Sequence, residues 1–179
     1  ELPHQLLDMP GSQARLLPGS RSHAQAGSLV SLWPALLEAL RELDSTGQDV
    51  IVDAGRLGLE GSPKSLLYGA DVTVLVTRST LPALIAATSW AETLREETTG
   101  TPTYAGVLVV GEGQPYPARE LASALRLPLV ASLAWDRRGA AVISRAHGTS
   151  PRRGALTASL AAAGEAIRTV ATDCPTPAS

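Results

Sequence analysis

Four runs of this chain are short, apolar and without alternation: Asp49 to Asp53 (DVIVD), Asp71 to Thr77 (DVTVLVT), Gly106 to Val110 (GVLVV) and Leu127 to Leu133 (LPLVASL). A strand with one wet face alternates apolar and polar side chains. A run that is apolar throughout belongs to a strand covered on both faces, the environment of a parallel sheet. A weaker fifth run, Ala14 to Leu17, ends at Pro18-Gly19.

Between the runs, apolar residues recur at helical spacing. Leu29, Leu32, Leu36, Leu37, Leu40 and Leu43 mark a helix over Ser28 to Leu43, with Pro34 in its early turns. Thr80 to Glu97 follows, with Thr80 at the N-cap and Pro82 in the first turn. A shorter helix is expected over Pro117 to Leu125. A last one is expected over Arg153 to Ala171, striped by Leu156, Leu160, Ala163, Ile167 and Val170. Strand and helix alternate at short spacing, which predicts a mostly parallel, doubly wound α/β sheet with helices on both faces. Residues 1–171 read as one domain and Thr172 to Ser179 as a frayed tail.

Composition narrows the classes. Of 179 residues, 44% are hydrophobic and 18% charged, which is globular rather than disordered. No apolar run approaches the roughly 20 residues of a membrane-spanning helix, and the opening Glu1-Leu2-Pro3-His4 lacks the features of a signal peptide. Net charge is −2, so bulk electrostatics do not point to nucleic acid. Cys174 is the one cysteine, and a cytoplasmic address is the expectation. His4, His23 and His147 have no ligand spacing, so no metal cluster is expected. No serine has a nucleophile-elbow context.

The sharpest local pattern is Asp49-Val50-Ile51-Val52-Asp53-Ala54-Gly55-Arg56. Ligands of open α/β sheets sit beyond the carboxyl ends of the strands. A carboxylate there can hold Mg²⁺ through the ion's water shell. Gly55 allows close backbone approach, and its N–H can meet a terminal phosphate. Against this stands the plainer reading, an aspartate capping its own loop. Arg56 reads equally as a γ-phosphate or partner contact and as a solvated loop residue.

From Asp49 to Leu94 the order of elements resembles the MinD/ParA family of deviant Walker-motif P-loop ATPases, which partition DNA and position cell machinery. The DVIVD run is similar to the family's Walker B strand, and Ala70-Asp71 to Thr77 to its A-D-x-V strand. Gly106 to Gly111 and Leu121 to Leu133 are similar to the two strands that follow, and Ala14 to Gly19 to an earlier one. The resemblance spans about Ala14 to Ala171.

The resemblance implies a nucleotide-dependent homodimer switch for DNA partitioning, or for a pilus or secretion assembly as in the CpaE/TadZ branch, in a bacterial cytoplasm. It implies that Asp53 organises Mg²⁺ and the attacking water and that Gly55 senses the γ-phosphate, as catalytic positions. Arg56, Gly111, Trp135 and Asp136 are implied as cofactor-binding; Gly111 replaces the family's base-contacting asparagine, and against an adenine-stacking role for Trp135 stands the commoner one of a strand-end tryptophan, core or interface. Arg137, Arg138, Arg145, Arg152 and Arg153 form a basic stretch that can meet DNA phosphates, or is simply a solvated face. The family's P-loop is absent: no Gly-rich loop ends in lysine, and Lys64, the one lysine, stands in Ser-Pro-Lys-Ser. ATP and Mg²⁺ are therefore expected only for a fuller chain, and this one is expected to be inactive alone. Two readings stay open: a piece of a longer ATPase, for which the non-Met start speaks, or a degenerate, non-hydrolytic localisation scaffold. No amphipathic membrane anchor follows from Asp173 to Ser179.

Overall fold

The structure is a computed structural model that describes residues 5–9, 11–19, 27, 29–59, 61–145 and 154–173. The chain divides into two compact units, Glu1–Leu66 and Leu67–Ser179.

In the first unit, β1 (Leu7–Asp8) pairs antiparallel with β2 (Arg15–Leu16), in the register Leu7 to Leu16 and Asp8 to Arg15. The turn passes through Gly11 at φ 73, a left-handed conformation that glycine adopts without steric cost. The Ala14 to Leu17 run is thus one arm of a two-residue hairpin rather than a member of a parallel sheet. A 3-10 turn (Val30–Leu32) leads into α1 (Trp33–Arg41), with Pro34 in its first turn, where the missing N–H costs nothing. The Trp33 indole Nε1–H donates to the Gly61 carbonyl at 3.2 Å, and Arg15 donates to Gln48 Oε1 at 3.1 Å. No described residue before Leu66 is buried.

Residues 49–53 do not form the expected strand. They carry no regular secondary structure, and Val50, Ile51 and Val52 are 43%, 96% and 45% exposed. Apolar, β-branched composition marks a segment able to be a strand, but a strand exists only where a neighbour completes its backbone hydrogen bonds. Among the described residues this run has no such neighbour.

The second unit carries the core. The helix α2 (Lys64–Gly69) leads into it, followed by β3 (Val72–Arg78), α3 (Leu81–Thr98), β4 (Tyr104–Val110), α4 (Ala118–Leu125), β5 (Leu129–Leu133), α5 (Arg137–Arg145) and α6 (Ala155–Asp173). The strands β3, β4 and β5 form a three-stranded sheet in that order, all parallel. The β3–β4 register runs unbroken from Val72 opposite Tyr104 to Arg78 opposite Val110, whereas β4–β5 shifts between Val107 and Leu108.

The sheet is flanked by helices. The pair α3 and α4 pack on each other and on the strands, and α6 lies against β5 and β3. The central strand β4 is buried from Gly106 to Val109, so both of its faces are covered, as its unbroken apolar run predicts. Leu121, Leu125, Val107 and Val109 are each 2% exposed or less. Each such side chain contributes about 1.5–3 kcal/mol by leaving water. Gly106 stands where a Cβ would run into the Val130 side chain and sit 3.2 Å from the Pro128 carbonyl oxygen. Its place in the strand is therefore set by the close approach of β5.

Candidate functional site

Because β3, β4 and β5 are parallel, their carboxyl ends share one rim, and whatever follows each strand meets there. Arg78 ends β3, Gly111 follows β4, and Trp135 and Asp136 follow β5. The rim brings together three of the residues expected to contact a cofactor, Gly111, Trp135 and Asp136. It adds one that the sequence reading passed over, Arg78.

The Arg78 guanidinium lies over the Trp135 indole, 5.3 Å from the ring centroid, and the indole remains 44% exposed. Such cation–π pairs contribute about 0.5–1 kcal/mol at exposed sites. Gly111 is buried at φ 81, and a Cβ built there would stand 3.5 Å from Trp135 Cε3. Its N–H donates to the Leu133 carbonyl at 2.8 Å, which carries the β4–β5 ladder one residue past the strand. Glycine is favoured here by the left-handed backbone; the indole leaves ordinary van der Waals room for a Cβ.

The loop after Gly111 is held by polar contacts. Ser79, 1% exposed, donates from Oγ to the Tyr116 carbonyl at 2.5 Å and accepts from the Tyr116 N–H at 3.0 Å. The Ser79 N–H donates to Val110 O at 3.0 Å. Ser132 Oγ donates to Glu112 Oε2 at 2.5 Å. The β3 end, the β4–α4 loop and β5 are thus tied to one another, and the exposed indole sits on a fixed frame.

Asp136 has a nearer task than contacting a ligand. Its Oδ1 accepts the Gly139 N–H at 2.9 Å and its carbonyl accepts the Ala140 N–H, so it caps α5. Gly139 leaves it room, because a Cβ there would lie 2.6 Å from Asp136 Oδ2 and push the carboxylate out of its capping position. Arg137 and Arg138 follow as exposed residues of the first turn of α5. Arg152 and Arg153 lie outside the described residues, as does the side chain of Arg145.

Asp53, Gly55 and Arg56 belong to the first unit. Asp53 Oδ1 accepts the Gly55 N–H at 2.8 Å, with Gly55 at φ 71, and all three residues are exposed. This is a carboxylate closing its own loop, and the glycine N–H intended for a phosphate is engaged by it. Among the described residues, the Asp53 carboxylate and the Gly55 N–H are thus engaged with each other. No group of three or more His, Cys, Asp or Glu among the described residues could hold a metal ion. No described helix is long and apolar enough to cross a membrane.

The signal for Arg78 was in the sequence. It is the residue after DVTVLVT, and Trp135 comes two after LPLVASL, so parallel register puts both on one rim. No protein-family model, curated protein or solved structure matches the chain.

Proposed function

We propose that this chain is a nucleotide-binding-type domain of the MinD/ParA kind that recognises the base of a purine nucleotide and serves in positioning cell machinery, binding rather than hydrolysing in the form described. The observation that carries this reading is the exposed Trp135 indole, framed by Arg78 and Gly111 on the carboxyl rim of three parallel strands. Open α/β sheets bind their ligands at that rim. An indole and a guanidinium both stack on a base without regard to its hydrogen-bond pattern, and each base stacked on an aromatic side chain contributes about 1–3 kcal/mol. Phosphate chemistry would come from a Gly-rich loop outside these 179 residues, and no hydrolytic step is assigned to residues of this chain.

A second reading is favoured by one observation. Asp53 lies in an exposed, irregular segment and accepts its own loop's N–H. That arrangement suits a localisation scaffold that dimerises and holds a partner without nucleotide.

One titration separates the two. ADP and ATP, with and without Mg²⁺, are added while tryptophan fluorescence and calorimetric heat are followed, in the native chain and in Trp135→Leu. Quenching by both nucleotides that is insensitive to Mg²⁺ and disappears in Trp135→Leu supports base recognition. Absence of heat and quenching at any concentration sinks it and leaves the scaffold reading.

A further inference from the structure

The strand β3 ends the sheet, and among the described residues no strand pairs with its outer edge. Two bonds show which backbone groups line that edge. The Tyr104 N–H donates to Asp71 O at 2.8 Å and the Ser79 N–H to Val110 O at 3.0 Å, so the odd-numbered residues of β3 turn their backbone toward β4. Backbone groups alternate sides along a strand, so the N–H and C=O of Val72, Val74 and Val76 point outward.

An edge that is kept from other strands is short, bulged, or carries proline or charge, lysine above all. β3 has seven residues, an unbroken register against β4, and only Val, Thr and Leu before Arg78. On the α3 side Thr73, Leu75 and Thr77 are buried, but on the other side Val76 stays 61% exposed.

The outward row is its own complement. A two-fold axis through Val74, perpendicular to the sheet, lays a second β3 antiparallel to the first. Val74 then stands opposite Val74 and Val72 opposite Val76, and all outward N–H groups of the two valine rows meet an outward C=O. Valine faces valine, a favourable cross-strand pair. No like charges oppose each other, since Asp71 faces Thr77 and Arg78 faces Ala70. Neighbouring registers are poorer. One sets Val72 against Arg78, whose carbonyl already accepts the Thr80 N–H, and the other sets Asp71 against Leu75.

From this self-complementary edge, we propose that two copies of the chain join through β3 into one six-stranded sheet, with no nucleotide required. The contact is about 23 Å long and one strand wide, well short of the roughly 800 Å² per partner of a standard interface. The dimer is therefore weak and reversible.

Sedimentation equilibrium of the native chain without nucleotide should show a monomer–dimer equilibrium with Kd on the order of 10–100 µM. Val74→Pro removes an N–H that points away from β4, a place where an edge strand tolerates proline. It should abolish the dimer and keep the fold, as checked by a urea titration. Val76→Lys, at a side chain already exposed, should raise Kd at least about tenfold. In a Cys174→Ser background, Val74→Cys should cross-link to itself on oxidation, because the register brings the two Cα atoms to about 5.5 Å. Val72→Cys should not, because it faces Val76. A native chain that stays monomeric at millimolar concentration overturns the proposal. So does a dimer that Val76→Lys leaves unchanged, or one that cross-links through position 72 as readily as through 74.

Discussion

Residues 5–65 and 67–173 have similar apolar vocabularies, but only the second gathers a core, although Val76 and Ile85 there stay more than 60% exposed. The later stretch encloses Leu121, Val107 and Val109 at 1% exposure or less, while the earlier one leaves Leu7, Leu16, Val50, Ile51 and Val52 more than 40% exposed. Local preference does not separate them, since DVIVD is as good a strand-former as GVLVV. What differs is company. The strand β4 has β3 on one side, β5 on the other and helices over the sheet, whereas 49–53 has no strand beside it among the described residues. An apolar run becomes core only where other elements take both its backbone bonds and its side chains.

That contrast can be broken by mutation. Leu121→Ala removes a side chain that is 1% exposed, and it should lower the unfolding free energy by about 3 kcal/mol in a urea titration. A loss below about 1 kcal/mol would mean that the second unit is loosely packed. Arg126→Gly should act in the other direction. It replaces a left-handed non-glycine residue at the end of α4, so stability should rise by about 1 kcal/mol by the same assay.

A smaller, pH-dependent effect comes from Tyr68, whose hydroxyl pKa is raised first by burial and then by the Glu97 carboxylate. The unfolded chain ionises this group at about pH 10, before the folded one does. The stability it contributes is complete below that pH and is lost as pH rises through the folded value. Tyr68→Phe should flatten the alkaline limb of the stability profile, as checked by thermal melts at stepped pH. Smallest of all, Ile51→Ala alters a side chain that is 96% exposed and should change stability by less than about 0.5 kcal/mol. A cost near that of Leu121→Ala would show that the segment is covered after all.

The sheet was legible because each of its runs is five residues or longer, apolar without alternation, and followed by a helix with its own start signal. Thr80 and Pro82 mark the beginning of α3 at Leu81, and Pro117 that of α4 at Ala118. Residues 49–53 misled because the same signature reports burial only when a neighbour exists, and pairing partners are not written in the run itself. The helix α5 was hidden by its arginines, which read as a charged stretch. Its start was nonetheless signalled by the Asp136 cap and by Gly139, which makes room for it. Gly111 and Trp135 were legible as rim residues. Arg78 was legible as a rim residue too, one position past DVTVLVT, but its pairing with the Trp135 ring was not, since nothing in a lone arginine says which ring it will cover.

The parallel sheet is the stable, ordered part of this chain, and residues 49–53 form no strand of it. Amide hydrogen exchange measures that directly. Amides 106–110 should exchange only through global unfolding, and amides 50–52 at close to the rate of an unstructured peptide. Protection of 50–52 equal to that of 106–110 would contradict it, because it would make DVIVD a fourth strand of a sheet and return Asp53 to a strand terminus.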